Sequence, residues 1–280
     1  MTRTDFAVFI LSNGRPDQQL TLETLEKSGY TGDWFILCDS LDPTLKTYRQ
    51  KYGENVLVFD KEAYAEQMDT MTNQIELGTV LYARQASIDL ARQRGYRYFM
   101  QIDDDMTAFS IRYEDEGKLK GAKVTDLDRL VQSFVEFMKR GDVAVTGFGN
   151  SGGYIGGLHG KFAKGYTRSV AGVYIIDSSK DIEFKGIINE DYNLSAEYSK
   201  VGHLIFEILA IAFTTSQRGA NAGGLQDLYN AEGTYTMNAY SIVIAPHCTR
   251  LILRNDKVVT RTNWNNHHPL IISEKYKKGG

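Results

Sequence analysis

Residues 95–105 read Gly-Tyr-Arg-Tyr-Phe-Met-Gln-Ile-Asp-Asp-Asp, and this stretch decides the architecture of the chain. The aromatic and apolar residues 98–102 predict a buried strand, and the three aspartates follow where that strand ends. Apolar residues at helical spacing over 81–94, closed by Gly95, predict a helix before the strand. Because ligands of open α/β sheets bind at the carboxyl ends of strands, the aspartate triplet is the first candidate site.

The same alternation of strand and helix runs through the first half of the chain. Short apolar runs at Phe6–Leu11, 34–38 and Val56–Phe59 each end in polar residues, and a helix pattern that stops at Gly29 separates the first two. This order predicts the α/β class, with a mixed, mainly parallel sheet, right-handed crossovers and flanking helices. No linker is visible, so we predict a single domain over residues 1–280.

The second half of the chain has a more mixed pattern. Apolar residues at helical spacing over 127–137 predict a helix, and Thr125 with Asp128 resembles its capping box. Residues 147–165 are rich in glycine and predict a functional loop or lid rather than a simple turn. The remaining predicted elements are strands at 171–176, 204–214 and 241–245 and a helix that begins at Glu190.

Composition and charge exclude several classes of protein. A net charge of −3 and a pI near 6.0 argue against a protein that coats nucleic acid through overall positive charge. The N-terminus has an acid and no cleavage site of a signal peptide, which predicts a cytoplasmic protein. The longest apolar run, 204–213, contains Glu207 and is about half of the ~20 residues that a membrane span needs. We expect Cys38 and Cys248 to be reduced and buried.

Three consecutive aspartates repel one another in a partly dry site, so their joint ionisation requires a nearby positive charge. Mg²⁺ or Mn²⁺ meets this requirement, because hard cations prefer oxygen ligands and bridge carboxylates to substrate phosphates. Side chains alternate along extended backbone, so we expect Asp103 and Asp105 on one face and Asp104 on another. The alternative is a solvated acidic loop, since an aspartate triplet alone is a weak motif.

Two further segments join the triplet in a resemblance to a known family. The aspartates resemble the DxD segment of GT-A glycosyltransferases, while Ser12-Asn13-Gly14-Arg15-Pro16 and Gly29-Tyr30-Thr31-Gly32 resemble phage enzymes of the TET/JBP-associated glycosyltransferase family. The resemblance covers most of the chain. It implies a GT-A-like domain with a nucleotide-binding half over about 1–110 and an acceptor-binding half over about 111–280. It also implies a UDP-sugar as donor and Mn²⁺ or Mg²⁺ as cofactor.

The resemblance, together with the negative charge of the leaving diphosphate, predicts a set of contacts with the nucleotide sugar. These are Asn13, Arg15, Asp39, Arg84, Asp103, Asp104, Arg218 and Arg261. Asn13 and Arg15 border the nucleotide in this interpretation, and Asp39 lies near the base or the ribose. Arg218 and Arg261 are candidates to stabilise the departing diphosphate, because cations offset its developing negative charge.

The implied metal site combines two carboxylates with one imidazole. Asp105 and Asp103 are the carboxylate ligands, and His247 matches the late histidine of the family pattern. Imidazole can complete such a site, although a lone histidine after a strand is more often a hydrogen-bonded structural residue. The pair His267 and His268 is the second candidate for this ligand, in an Asn-rich setting.

Glu190 and Asp191 resemble the acidic pair that supplies the general base of inverting GT-A enzymes. The dipole of a helix keeps a carboxylate at its N-terminus ionised, and such a group can take a proton from an acceptor hydroxyl within hydrogen-bonding reach. In the family pattern the last acid faces the acceptor, which makes Asp191 the first choice. The alternative is ordinary negative charge at the start of a helix.

The acceptor implied by the resemblance is 5-hydroxymethylcytosine or a related modified base in phage DNA, and the sugar is of the glucose or arabinose type. Cations suit DNA phosphates and aromatics suit a displaced base; the candidates are Lys118, Lys120, Lys123, Lys161, Lys164 and Arg168, with Tyr154, Phe162 and Tyr166. A solvated lysine-rich surface is the alternative. A phage enzyme of this kind works in the host cytoplasm, without a membrane partner. The other functions considered are a sugar-phosphate nucleotidyltransferase and a catalytically silent nucleotide-sugar or DNA-binding module.

Overall fold

The computed structural model describes residues 6–71, 76–216, 239–254 and 257–264. Within them, one ten-stranded sheet forms the centre of the protein, with the strand order β3-β2-β1-β4-β9-β7-β10-β5-β6, and β8 pairs with β10. A separate hairpin consists of β11 and β12. The strands are β1 Phe6–Leu11, β2 Asp33–Asp39, β3 Val56–Phe59, β4 Tyr98–Asp103, β5 Met106–Asp115, β6 Lys118–Lys123, β7 Val143–Gly149, β8 Tyr166–Thr167, β9 Val173–Asp177, β10 Leu204–Thr215, β11 Thr249–Arg254 and β12 Lys257–Thr262.

Helices cover the sheet and connect its parallel strands. They are α1 Leu20–Lys27, α2 Leu45–Tyr52, α3 Lys61–Gln67, α4 Leu81–Gln93, α5 Leu127–Gly141 and α6 Glu190–Lys200. Strands β1 to β4 pair with one another in parallel, whereas β9 is antiparallel to both β4 and β7. The predicted α/β class with a mixed, mainly parallel sheet and flanking helices is therefore confirmed.

Strand β1 shows how the core is divided into two layers. All six of its residues are buried. Ala7, Phe9 and Leu11 pack in the layer that contains the apolar face of α4, and Val8 and Ile10 pack in the layer that contains the apolar face of α5. This alternation follows from the two-residue period of a strand, and each large side chain stabilises the fold by roughly 1.5–3 kcal/mol. The loop after β1 is consequently held at a fixed position.

The register of the parallel strands brings their carboxyl ends to one edge. Leu11 lies opposite Leu37 of β2 on one side and opposite Asp103 of β4 on the other. The residues that follow β1, β2 and β4 therefore emerge side by side. Only Asp104 and Asp105 separate β4 from β5, although β5 pairs with β10 and not with β4.

The structure corrects two predictions of local structure and adds detail to a third. Residues 241–244 are helical, so the predicted strand at 241–245 is wrong. Helix α5 is capped by Asp126, whose carboxylate accepts from the amide of Arg129, while Asp128 instead binds Thr31. The glycine-rich segment contains three short 3₁₀ helices between residues 151 and 164. No helix in the described ranges is long and apolar enough to cross a membrane.

Candidate active site

Asp104 is the central residue of the triplet and points into the protein. Its side chain is 2% exposed; one oxygen accepts from Ser12 Oγ at 2.5 Å and the other lies 3.0 Å from Arg15 Nη2. Ser12 also contacts the Tyr48 hydroxyl at 2.6 Å and Gln19 Nε2 at 2.8 Å. These bonds tie the loop after β1 to the end of β4. Both oxygens of Asp104 are thus engaged, so this geometry does not support its predicted contact with the nucleotide sugar.

Asp103 and Asp105 occupy a different environment. The Asp103 side chain is 39% exposed and lies 3.7 Å from Arg84 Nη2. Asp105 is half-buried and accepts from Ser216 Oγ at 3.2 Å. Burial raises the pKa of Asp105, and the nearby charge of Asp103 raises it further. Asp104 is therefore engaged with the loop after β1, while the shared role of Asp103 and Asp105 remains a prediction.

Such a pair of repelling, partly exposed carboxylates fits a divalent cation, since Mg²⁺ and Mn²⁺ bind one or two carboxylates together with substrate phosphates. Among the described residues, no three His, Cys, Asp or Glu side chains converge on one point. His247 is exposed and follows the helical residues 239–244. The set of Asp103, Asp105 and His247 therefore remains a prediction. His267 and His268 lie outside the described residues.

The loop after β1 meets the end of β2 through a second carboxylate. Asp39 Oδ2 accepts from Asn13 Nδ2 at 2.6 Å and from Lys61 Nζ at 2.9 Å, and Oδ1 accepts from the amide of Leu41 at 2.9 Å. Asn13 is exposed at this edge, and Asp39 is buried. The predicted pair of Asn13 and Asp39 is thus in direct contact. Lys61 was not predicted, although its place just after β3 and Asp60 puts it at the same edge.

Arg84 and Glu190 form a buried ion pair behind the aspartates. Arg84 Nε donates to Glu190 Oε1 at 2.8 Å, and the two side chains are 7% and 6% exposed. Burial raises the pKa of Glu190, while the Arg84 guanidinium opposes this rise and Asp191 adds to it. Arg84 was predicted to contact the nucleotide, but in this structure its guanidinium is directed at Glu190, Gln101 and Asp103.

Asp191 follows Glu190 in the first turn of α6. It is partly exposed, and its Oδ1 accepts from the amide of Tyr192 at 2.6 Å. Its charge contributes to the raised pKa values of Glu190, Tyr174 and Glu207.

Two predicted donor contacts remain apart from this cluster. Arg261 is exposed in the β11–β12 hairpin, where it pairs in register with Arg250. Arg218 lies outside the described residues. Both therefore remain predictions that rest on the charge of the leaving group.

The sequence of this chain matches one family of enzymes over most of its length. The family model is described as TET-Associated Glycosyltransferase, and it matches residues 6–224. This chain belongs to that family. The predicted family and the predicted glycosyltransferase class are confirmed by this match, which extends over the aspartate triplet, the loop after β1 and the start of α6.

Solved structures of one bacterial enzyme are similar to this TET-associated glycosyltransferase at low sequence identity. Glucosyl-3-phosphoglycerate synthase from Mycobacterium tuberculosis, solved with Mg²⁺ and UDP, is 10% identical, with a TM-score of 0.49 and coverage of 92% of this chain and 87% of that chain. The same enzyme with Mn²⁺ and UDP-glucose is 8% identical, with a TM-score of 0.48 and coverage of 92% and 86%. No curated protein matches the sequence of this chain.

The glycine-rich segment of this glycosyltransferase is held by a buried carboxylate of β10. Glu207 is 2% exposed, and its oxygens accept from Asn150 Nδ2 at 2.9 Å and Thr167 Oγ1 at 2.6 Å. Burial raises its pKa, and the bonds from Thr167 and Asn150 oppose the rise. Sequence reasoning used Glu207 only as an argument against a membrane span. A single acid inside an apolar strand is the signal that could have identified it.

The environment of Asp104 predicts a pH dependence of stability. Burial raises its pKa to about 6, above an unfolded value near 4. The folded state therefore binds the proton of Asp104 more tightly than the unfolded state does. The stability that this proton contributes is present at low pH and is lost as the pH rises through 6. Between pH 4 and pH 7 we expect the free energy of unfolding of wild type to fall by roughly 2–3 kcal/mol relative to that of Asp104→Asn.

Urea unfolding of both metal-free proteins at four pH values between 4 and 7 measures this difference. The raised pKa values of Asp105, Glu190 and Glu207 affect both proteins, so they cancel in the comparison. If the free energies of unfolding of the two proteins change in parallel with pH, Asp104 does not have a raised pKa.

Proposed function

We propose that this chain transfers a sugar from a UDP-sugar, with Mn²⁺ or Mg²⁺, to the hydroxyl of a modified pyrimidine in phage DNA. One observation carries the proposal: the carboxyl ends of β1, β2 and β4 bring Asn13, Asp39, Asp103 and Asp105 to one edge, beside the start of α6. Membership in a family of glycosyltransferases favours sugar transfer over nucleotidyl transfer at such a site.

On the donor side, two groups of residues have separate roles. Asp103 and Asp105 would hold the cation, which would offset negative charge on the departing diphosphate as a Lewis acid. Asn13 and Asp39, with Lys61 against the Asp39 carboxylate, lie where the base and ribose are expected. Arg15, partly exposed and paired with Asp104, supplies a further cation at the same edge.

On the acceptor side, Asp191 is the proposed general base. It takes the proton of the acceptor hydroxyl while that oxygen bonds to the anomeric carbon and the bond to the UDP oxygen breaks, so the configuration inverts. A base can act only within hydrogen-bonding distance of the proton that it removes. The partly exposed carboxylate of Asp191 meets this condition better than that of Glu190, which is 6% exposed and bound to Arg84.

The proposed DNA acceptor is supported by a surface of cations and aromatic rings. Strand β6, with exposed Lys118, Lys120 and Lys123, contacts the turn 157–159 of the glycine-rich segment. The Arg112 guanidinium lies 4.9 Å from the centroid of the Tyr154 ring, which in turn is 6.2 Å from the Phe162 ring. Cations that meet phosphates and rings that stack on a base suit a DNA substrate.

A panel of UDP-sugars tests the function. Purified protein is incubated with each sugar and Mn²⁺, and UDP release is measured with 5-hydroxymethylcytosine DNA, with cytosine DNA and without DNA. We expect one sugar whose UDP release is stimulated only by the modified DNA. Release that no DNA stimulates refutes the acceptor, and UDP binding without any turnover favours a silent binding module. Pyrophosphate formed from UTP and a sugar phosphate identifies a nucleotidyltransferase instead.

A further inference from the structure

Arg84 has an environment that is unusual for an arginine next to an active site. It lies in α4, its side chain is 7% exposed, and its guanidinium is 4.9 Å from the centroid of the buried Tyr174 ring. It donates to Glu190 at 2.8 Å and to Gln101 Oε1 at 3.0 Å, and it lies 3.7 Å from Asp103. One buried cation therefore contacts both acidic parts of the site.

The backbone around Arg84 is fixed by the same strand that carries the aspartates. Gln101 is fully buried in β4, and its amide donates to the carbonyl of Arg84 at 2.9 Å and also to Ser87 Oγ. Ser87 Oγ donates to the same carbonyl at 2.8 Å. An uncompensated buried charge is very unfavourable, so the guanidinium keeps its position while acceptors at residues 101 and 190 bind it and at least one carboxylate, that of Glu190 or Asp103, offsets its charge. Strand β4, helix α4 and the first turn of α6 are thus joined through one side chain.

We propose that Arg84 is a positioning residue that sets the first turn of α6, with Glu190 as its anchor, so that Asp191 faces the acceptor. The inference rests on the proposed function. In this proposal the two acids have different roles. Glu190 binds Arg84 and thereby holds the first turn of α6, and Asp191 alone exchanges a proton with the substrate. It also replaces the predicted role of Arg84 as a nucleotide contact.

Four variants test this role in the complete chain: Arg84→Lys, Arg84→Met, Glu190→Gln and Asp191→Asn. Arg92→Met is the matched control, because Arg92 lies in the same helix, is exposed and binds carbonyl groups at the opposite edge of the sheet. For each variant we measure kcat, KM for the UDP-sugar and for modified DNA, UDP affinity by calorimetry with Mn²⁺, and the urea midpoint of unfolding.

We expect Glu190→Gln to keep at least about a tenth of the wild-type kcat, because it retains an acceptor for Arg84 Nε. In contrast, the kcat of Asp191→Asn should fall about 100-fold or more. Arg84→Met should lower kcat about 100-fold while both KM values and the UDP affinity stay within about threefold, since a displacement near 1 Å has this effect on rate. Arg84→Lys should recover part of the rate, and Arg92→Met should behave as wild type.

Two results overturn the role of Arg84. One is a loss in Glu190→Gln as large as that in Asp191→Asn, which makes Glu190 the base itself. The other is a kcat of Arg84→Met, per folded molecule, equal to that of wild type, which leaves only a structural contribution. A wild-type protein that neither binds UDP nor releases it from any UDP-sugar refutes the proposed function first, and the role of Arg84 with it.

Discussion

Asp105→Ala should abolish UDP release, with a loss of about 1,000-fold or more in the presence of saturating Mn²⁺. A Lewis acid held by Asp105, as proposed, would contribute several kcal/mol of transition-state stabilisation, and each 1.4 kcal/mol corresponds to a factor of ten. UDP affinity with Mn²⁺ should fall as well, because an ion held by this carboxylate would also bind the diphosphate. A coupled assay of UDP release and calorimetry with UDP measure the two effects.

The stability of Asp105→Ala separates this loss from misfolding. Burial and the charge of Asp103 raise the pKa of Asp105, so the ionised carboxylate is unfavourable in the metal-free protein. The metal-free variant should therefore be at least as stable as wild type at pH 7 in urea unfolding. Asp181→Ala is the matched control, since Asp181 is exposed in the turn that follows β9. Turnover of Asp105→Ala equal to that of Asp181→Ala contradicts the metal assignment.

Asp191→Asn should lower transfer to modified DNA by about 100-fold to 10,000-fold, the range that a general base contributes. The asparagine has the same shape but cannot accept the hydroxyl proton, so UDP affinity with Mn²⁺ should stay within about threefold of wild type. The measurement is kcat from UDP release with modified DNA, together with calorimetry of UDP.

Glu197→Gln provides the control for this substitution within the same helix. Glu197 lies in α6 and pairs with Lys200 at the surface, so its replacement removes one negative charge far from the start of the helix. Transfer by Glu197→Gln should match wild type. If Asp191→Asn instead loses UDP affinity and keeps kcat, Asp191 belongs to the donor side and another group removes the proton.

The alternation of side chains along an extended strand predicts that the environment of Asp104 differs from that of its neighbours. In the structure Asp104 is buried against Ser12 and Arg15, whereas Asp103 is 39% exposed and Asp105 is half-buried. The position of the triplet at the edge of the sheet follows from the same pattern of strand and helix. These features depend on local periodicity, which a single sequence contains.

Contacts between distant parts of the chain could not be predicted in the same way. Arg84 and Glu190 are 106 positions apart, and nothing in either segment indicates that one binds the other. Gln101 and Glu207 could have been identified from the sequence, because each is a polar residue inside an otherwise apolar strand and a buried polar residue needs a partner. The error at 241–245 has a similar origin, since a short apolar run fits either a strand or a helix.

The two-residue link between β4 and β5 also constrains the shape of the whole sheet. Four strand spacings of about 4.8 Å separate these strands in the strand order, or roughly 19 Å in a flat sheet, whereas the three peptide units from Asp103 to Met106 span at most about 11 Å. The sheet must therefore curl until β10 and β5 return towards β4, and the amide of Ser216 reaches the carbonyl of Asp105 at 2.9 Å. The acidic turn therefore fixes how far the sheet bends between β4 and β5, and a single inserted residue there would relax this bend and shift Asp105 relative to Asp103.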